Sequence, residues 1–277
     1  MVKKINVSCD SLEWLYSQDW EYHDYGDCKR HLQVIFPYRR QWSNDEKFPL
    51  ILFIPGSVWY KQEMYNDITK LTKLAERGFA VVSMEYREST IAKFPAQVED
   101  VSNAIDFLLG KAEQFHFDMN RVFLMGNSSG GHIAMMAVLL NANGLCKPFP
   151  KVQGVICECG STDLLVCAKA PLEPWMKKRP SADLLGVDCI ETNEKLARAA
   201  SCQMYINEEV ALPRILLLHS DNDPIVSVEN SRILHDKLES TNHKVYYYEL
   251  QNNDAHCGPI YFCNQVLDII ENFINEK

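Results

Sequence analysis

The feature that most constrains this chain is a short glycine-rich turn between two apolar segments. Residues 122–125 have the composition of a buried strand, and residues 133–140 have that of a buried helix. Between them, residues 126–130 read Gly-Asn-Ser-Ser-Gly. A strand that reverses into a helix within about five residues strains the backbone at the apex, and the flanking positions must then lack a Cβ. The sequence therefore predicts a sharp strand-to-helix turn, with Ser128 at its apex and a glycine on each side.

The G-x-S-x-G spacing also occurs in ordinary Ser/Gly loops and helix caps, so its context decides what it means. Here an apolar strand precedes it and an apolar helix follows it, as in a nucleophile elbow. The helix would direct its free N–H groups, which carry the positive end of its dipole, towards whatever Ser128 attacks. Ser128 is therefore the candidate nucleophile.

Apolar runs of strand length recur along the chain and alternate with segments of helical period. The predicted strands are residues 29–38, 47–54, 79–84, 122–125, 152–157, 214–219 and 243–250. The predicted helices are residues 67–77, a segment beginning at 95, residues 133–140 and residues 261–275. This alternation predicts the α/β class, with a mainly parallel central sheet and helices on both faces. Ligands of such a sheet bind at the carboxyl ends of its strands, which is where Ser128 falls.

Two segments lie outside this alternation. Residues 165–212 form a helix-rich stretch with Pro and Trp that is too long for a simple crossover. We predict that they form a cap or insertion over the site, within a single domain that spans residues 1–277. Residues 1–25 are aromatic and acidic and show no clear period, so no element is predicted there.

Composition excludes several classes of function. A net charge of -9 argues against a nucleic-acid partner, because binding to phosphates needs clustered Lys and Arg. The first ten residues are polar and no apolar run reaches membrane length, which predicts a cytoplasmic protein with no membrane partner. The 10 Cys are scattered, and none forms a C-x-x-C pair. Cys157 and Cys159 are predicted to point to one face of a strand as buried thiols, and no metal site is predicted.

A serine nucleophile needs a base to take its proton and an acid to orient that base. His256 follows the last predicted strand, so it should lie on a loop at the same edge of the sheet as Ser128. Asp221 and Asp223 follow the preceding core strand; we prefer Asp223 because Pro224 rigidifies its turn, while Asp221 would cap the loop. The chain order Ser128, Asp223, His256 is the one found in α/β-hydrolases.

Two other histidines lie near these motifs and are predicted to support the site rather than to act as the base. We expect His132, on the helix after Ser128, to be packed or to line the pocket. His219 ends the strand before the acid and is expected to orient the acid loop.

Attack on an acyl carbon also requires two N–H donors for the oxyanion. One should be the backbone N–H of Ser129, directly after the nucleophile. The other should come from the loop that follows the first core strand, with the Ser57 N–H as first choice and the Val58 N–H as second.

Together these motifs resemble the α/β-hydrolase superfamily, and within it the acetyl-esterase and hormone-sensitive-lipase-like branch, which includes bacterial carbohydrate and feruloyl esterases. The resemblance covers about residues 48–275. The matching segments are Pro55 to Trp59 for H-G-G-G-W, Glu85 to Arg87 for D-Y-R, Phe94-Pro95 with Glu99-Asp100 for F-P…D, Gly126 to Gly131 for G-x-S-A-G-G, Asp223 for the acid in H-G-x-x-D-x-x-V, and His256 for the H-G loop. The chain departs from the pattern where Pro55 replaces the motif His and where Ser57 and Val58 replace two glycines.

The resemblance implies a serine esterase that acts on a small-molecule ester and needs no metal or organic cofactor. It also implies acetylated or feruloylated sugars as substrates, with Trp59, Tyr86 and Trp175 as pocket walls. Val58 would narrow the acyl side of the pocket and favour acetyl. An oligopeptidase or an arylformamidase would use the same three residues, and a non-catalytic receptor can share the fold.

Overall fold

The computed structural model describes residues 2–7, 12–38, 46–170, 178–251 and 254–276. The strands are β1 (Glu13–Asp24), β2 (Lys29–Tyr38), β3 (Phe48–Ile54), β4 (Ala80–Met84), β5 (Phe117–Asn127), β6 (Gly154–Glu158), β7 (Arg214–Ser220) and β8 (Val245–Leu250). The helices are α1 (Ile68–Ala75), α2 (Ala96–Phe115), α3 (Ser129–Ala142), α4 (Leu164–Lys169), α5 (Pro180–Leu185), α6 (Glu194–Ala199), α7 (Glu229–Ser240) and α8 (Asn264–Asn275). Short 3₁₀ helices cover Cys202–Tyr205 and Pro259–Phe262. In the described ranges, no helix has the length and apolar character needed to cross a membrane.

The eight strands form one sheet in the order β1-β2-β4-β3-β5-β6-β7-β8. The strands from β4 onwards in this order run parallel, whereas β2 is antiparallel to β1 and to β4. The predicted α/β class and mainly parallel sheet are therefore confirmed. The carboxyl ends of β3, β5, β6, β7 and β8 meet at one edge, where the candidate residues follow.

The sheet is buried on both faces, which explains the unbroken apolar runs of its central strands. In β3 every residue is buried, and alternate side chains enter two separate cores. Helices α2, α3 and α7 cover one face, and α1 and α8 cover the other. These two layers fix the strand ends and hence the loops that follow them.

The first strand is absent from the sequence prediction. β1 runs for 12 residues along β2, but its register shifts between Ser17 and Trp20 and again between Glu21 and His23. Such irregularities break the two-residue alternation by which a strand is recognised. β1 also lies at the edge of the sheet and most of its residues are exposed or half-buried, so its apolar signal is weak.

The strand-to-helix turn after β5 depends on the absence of two side chains. A Cβ on Gly126 would lie 2.4 Å from the carbonyl oxygen of Gly130, and one on Gly130 would lie 1.9 Å from that of Ile54. Both obstacles are backbone atoms in packed elements, so neither can move aside cheaply. The turn can therefore place α3 directly against β3 only with glycine at these positions.

We expect Gly130→Ala to destabilise the fold by at least about 2 kcal/mol, because the added methyl group overlaps the backbone of β3. Urea unfolding followed by circular dichroism measures this change. Gly110→Ala is the matched control: Gly110 lies within α2, and its added Cβ would meet no atom within 4 Å. That variant should gain roughly 0.5–1 kcal/mol, since alanine favours a helix over glycine. Equal urea midpoints for Gly130→Ala and the unmodified chain would contradict the steric account.

Candidate active site

Ser128 occupies the apex between β5 and α3 in a strained backbone conformation. Its φ is 52° and its ψ is −124°, which is rare for a residue with a side chain. The Ser128 N–H donates to the carbonyl of Glu158 at 2.9 Å, and the Ser128 carbonyl accepts from His132 N–H and Ser161 N–H at 3.2 and 3.3 Å. The strands and helix on both sides therefore hold the strained residue in place.

The three residues predicted from chain order lie in hydrogen-bond contact. Ser128 Oγ is 2.9 Å from His256 Nε2, and His256 Nδ1 is 2.7 Å from Asp223 Oδ2. Because an ionised carboxylate only accepts, the Nδ1–H donates to Asp223 and Nε2 is left to accept the Ser128 proton. The Asp223 side chain is fully buried and that of His256 is 15% exposed, so the base is open towards solvent on one side.

The surroundings of the pair favour charge separation. Burial by itself would raise the pKa of Asp223, but hydrogen bonds from His219 and His256 hold it well below its usual range. Burial would lower the pKa of His256, but contacts with Asp223 and Cys159 outweigh it and raise the pKa to about 9. The imidazolium that forms when His256 takes a proton is thus stabilised, and the neutral base predominates at alkaline pH.

Asp223 is oriented by its own loop. Its Oδ1 accepts from the backbone N–H groups of Ile225 and Val226 at 2.8 and 2.9 Å, which leaves Oδ2 for the histidine. His219 Nε2 lies 2.9 Å from the Val226 carbonyl and 3.5 Å from Asp223 Oδ2, so this nitrogen carries the proton. Asp221 instead accepts from the side chain of Asn222 at 3.1 Å. The structure thus places Asp223, and not Asp221, against the histidine.

The three N–H groups predicted as oxyanion donors differ in whether another atom already accepts from them. The Ser57 N–H, our first choice, donates to Ser129 Oγ at 2.9 Å. The N–H groups of Val58 and Ser129 have no acceptor among the described residues. Of the two candidates in this loop, Val58 therefore has the N–H that remains available, and its role as an oxyanion donor stays a prediction. The prediction followed the family pattern, which has Ala at the position of Ser129 and so leaves the Ser57 N–H without this acceptor. In this chain the Ser129 hydroxyl accepts that N–H.

Val58 adopts a glycine-like backbone conformation. Its φ is 57° and that of Trp59 is 61°, in the left-handed region that β-branched residues rarely enter. These are positions at which the resembling family carries a glycine and the motif tryptophan. The Val58 side chain remains 42% exposed. The loop therefore keeps the backbone course of a glycine loop while presenting an isopropyl group beside the free N–H.

A chain of hydroxyl groups fixes this loop against α3. Ser57 Oγ donates to the Tyr60 carbonyl at 2.6 Å, so it can only accept from Tyr86 Oη, 2.7 Å away. Tyr86 Oη in turn accepts from Ser129 Oγ at 3.3 Å. Burial raises the pKa of Tyr86 to about 12, which keeps its proton in place. Tyr86 thus connects the loop of Ser57 and Val58 to helix α3, which begins at Ser129.

We expect Tyr86→Phe to lower kcat/KM for an ester about tenfold, because the Ser57 hydroxyl loses its donor and the Ser129 hydroxyl loses its acceptor, and a lost hydrogen bond costs about 1–3 kcal/mol. Steady-state kinetics with a p-nitrophenyl ester measures the change. Tyr65→Phe serves as the control, since the Tyr65 side chain is exposed and, among the described residues, its hydroxyl bonds to Asp19. A Tyr86→Phe enzyme with unchanged kcat/KM would contradict a positioning role for this hydroxyl.

The aromatic residues predicted as pocket walls are placed differently. Trp59 is 3% exposed, and its indole N–H donates to His132 Nδ1 at 3.1 Å. His132 Nε2 donates to the Ala200 carbonyl at 2.8 Å, and burial lowers the pKa of His132 to about 4. Trp59 and Tyr86 are therefore core residues behind the loop that offer a ligand little surface, and His132 is packed. Trp175 lies outside the described residues.

A thiol cluster lies beside the histidine and was not predicted from the sequence. Cys157 and Cys159 were predicted to share a face, but β6 ends at Glu158 and Cys159 turns away with a φ of 39°. The two side chains consequently enter different cores. Cys159 Sγ lies 3.4 Å from the Sγ of Cys257, the residue directly after His256. The sequence signal for this cluster was that both cysteines lie in segments that follow strands at the carboxyl edge of the sheet.

Similarity to known proteins identifies the family to which this chain belongs. The BD-FAE family model matches residues 38–238. Esterase LipC of Mycobacterium tuberculosis is 24% identical over 230 residues, which cover 79% of this chain and 55% of that protein. Isoprenylcysteine alpha-carbonyl methylesterase ICME of Arabidopsis thaliana is 34% identical over 122 residues, 43% of this chain and 27% of that protein. The chain thus spans about half or less of the length of these relatives.

Solved structures share the fold. A truncated form of a carbohydrate esterase from gut microbiota superposes with a TM-score of 0.79 at 22% identity, covering 94% of this chain and 95% of that one. Esterase B from Lactobacillus rhamnosis gives a TM-score of 0.75 at 17% identity, covering 94% and 85%. Both similarities establish the α/β-hydrolase fold.

Proposed function

The chain belongs to the BD-FAE family, and from this premise we propose that it is a serine hydrolase that cleaves carboxylic esters. The observation that carries the proposal is the unbroken contact from Asp223 through His256 to Ser128, at 2.7 and 2.9 Å. It lies at the carboxyl edge of the sheet, beside two N–H groups that lack an acceptor within the described residues. The esterase names of the curated relatives support the same reaction type.

The geometry suits a two-step acyl transfer. Ser128 Oγ attacks the ester carbonyl as His256 Nε2 takes its proton, while Asp223 holds the opposite ring nitrogen. The oxyanion accepts hydrogen bonds from the Val58 and Ser129 N–H groups, at the positive end of α3. His256 then gives its proton to the leaving alcohol. Water attacks the acyl-enzyme with His256 again as the base, which releases the acid and restores Ser128.

The segment between β6 and β7 is proposed as a cap that forms one side of the binding site. Tyr60, in the loop that contains Val58, donates its hydroxyl proton to Asp183 of α5 at 2.5 Å. The Phe94 N–H donates to the carbonyl of Leu184 at 3.0 Å. These bonds connect α5 to the oxyanion side of the site, where a cap would contact substrate.

The acyl preference is proposed to be short, with acetyl the best group, because Val58 places its side chain next to the free N–H. Acetylated or feruloylated carbohydrate is the proposed natural ester class, supported by the carbohydrate esterase among the structural neighbours. Release of acetate from acetylated oligosaccharides, compared with the same sugars without acetyl groups, tests that class.

A series of p-nitrophenyl esters in alkaline buffer tests the acyl preference. We expect acetate to be hydrolysed with a higher kcat/KM than hexanoate and octanoate. Val58→Gly should raise the ratio of kcat/KM for hexanoate to kcat/KM for acetate by roughly tenfold, because small apolar contacts in a pocket change substrate discrimination by about that much. Faster turnover of hexanoate by the unmodified enzyme would contradict the preference, and no turnover of any ester by the folded protein would contradict the function.

A further inference from the structure

Two thiols and an imidazole lie together next to the proposed nucleophile. Cys159 Sγ and Cys257 Sγ are 3.4 Å apart, and with a ring nitrogen of His256 all three ligand atoms lie within 4.8 Å of one another. We propose that this thiol cluster, Cys159, His256 and Cys257, binds Zn²⁺ and that the bound ion blocks hydrolysis at Ser128. The binding stands on the cluster alone, whereas the inhibition rests on the proposed function.

The donor atoms suit zinc. Thiolate and imidazole are the ligands that Zn²⁺ prefers, in a tetrahedral arrangement with Zn–S distances of about 2.3 Å. Two sulfurs at that distance from one ion lie about 3.8 Å apart. The observed separation of 3.4 Å is close to this value, so small side-chain movements bring both sulfurs to one ion. Water completes the fourth position.

The backbone preforms the cluster. Cys159 and Cys257 both adopt left-handed conformations, with φ of 39° and 58°. The Cys159 N–H donates to the Leu218 carbonyl at 2.8 Å, which fixes the turn after β6. Strained residues of this kind concentrate at functional sites. Cys159 is fully buried whereas Cys257 and His256 are half-buried, so an ion would enter from the side of the histidine.

Among the described residues, a buried acid directly precedes one ligand, and no Lys or Arg touches the cluster. The carboxyl group of Glu158 is fully buried, and neither oxygen has a hydrogen-bond partner in the described part of the chain. Glu158 lies close enough to interact electrostatically with Cys257 and directly precedes Cys159. No Lys or Arg contacts the three ligands in the described ranges.

Zinc binding and catalysis compete for one atom. Asp223 already holds His256 Nδ1 at 2.7 Å, the same second carboxylate contact that orients histidine ligands in zinc proteins. Nε2 is therefore the nitrogen free to bind the ion, and it must leave Ser128 to do so. Binding replaces the two thiol protons, which pass to solvent, and nothing is oxidised or reduced. Ser128 then has no base.

Metal binding is measured directly with Cd²⁺, which gives an ultraviolet charge-transfer absorbance on binding thiolates. The full chain, kept reduced with a phosphine, should bind one equivalent. Zn²⁺ should inhibit ester hydrolysis, and EDTA should restore it. Cys257→Ser and Cys159→Ser should each lose the absorbance and need at least roughly tenfold more Zn²⁺ for half-inhibition.

Cys263→Ser is the matched control, since Cys263 follows the same loop but lies outside the cluster. It should keep both the absorbance and the sensitivity to Zn²⁺. Cys159 is buried, so Cys159→Ser could fail to fold; in that case Cys257→Ser still tests the site, because Cys257 is partly exposed. Absence of the absorbance in the unmodified chain, or its persistence in Cys257→Ser, would overturn the proposal. Cadmium binding by a chain that hydrolyses no ester would support the site while refuting the proposed function.

Discussion

Replacing Ser128 with Ala should reduce ester hydrolysis by at least roughly 10⁴-fold in kcat while the protein stays folded. The substitution removes the only oxygen that His256 Nε2 contacts in the described site and leaves the base with nothing to activate. Within the described residues, the bond to His256 is the hydrogen bond that the Ser128 side chain makes. The alanine side chain is smaller than that of serine, so it fits at the same strained apex. The unfolding midpoint in urea should therefore change little.

Ser129→Ala is the neighbouring control for this prediction. Ser129 Oγ accepts from the Ser57 N–H and bonds to Tyr86, but it does not reach the histidine. Its loss should lower kcat/KM only by roughly tenfold, through a less fixed oxyanion loop. Comparable losses in the two variants, or residual activity in Ser128→Ala that depends on His256, would assign the nucleophile elsewhere.

Asp223→Asn should lower kcat by roughly 10³- to 10⁴-fold, the size of effect seen when a triad acid becomes an amide. The backbone N–H groups of Ile225 and Val226 bond to Oδ1 of Asp223, so the amide oxygen will remain there. The new NH₂ group then faces His256 Nδ1 and forces that nitrogen to accept. The proton moves to Nε2, which can no longer take one from Ser128.

Asp221→Asn separates this effect from a general disturbance of the loop. Asp221 is two residues away on the same loop, and no hydrogen bond joins it to His256. Steady-state kinetics should show activity within about twofold of the unmodified enzyme, as expected for a surface substitution. A larger loss for Asp221→Asn than for Asp223→Asn would contradict the assignment of the acid.

The sequence predicted much of the fold because its central strands carry strong signals. β3, β4, β6, β7 and residues 122–125 of β5 are mostly apolar runs, and each is followed by turn residues at the edge where ligands bind. The three polar residues of the site could be chosen because each lies in the segment that follows a strand at the same edge of the sheet. β1 escaped prediction because its bulges break the alternation on which recognition depends.

What the sequence did not reveal depends on contacts between distant residues. The use of the Ser57 N–H by Ser129 Oγ joins positions 72 residues apart. The contact between Cys159 and Cys257 spans 98 residues. Trp59 was expected at the pocket surface, but it is buried and bonds to His132, a residue 73 positions away. Local pattern carries no information on such pairs, since only the packed sheet brings them together.

The most direct test of the central claim is covalent labelling with a p-nitrophenyl alkylphosphonate, which reacts with a serine activated by a histidine base. Intact-mass analysis and peptide mapping should show one phosphonyl group per chain, on Ser128. Ser128→Ala should take up none, and Asp223→Asn should react more slowly in proportion to its loss of activity. A folded protein that acquires no label, or carries it on another residue, would contradict the proposal that Ser128, His256 and Asp223 form a working triad.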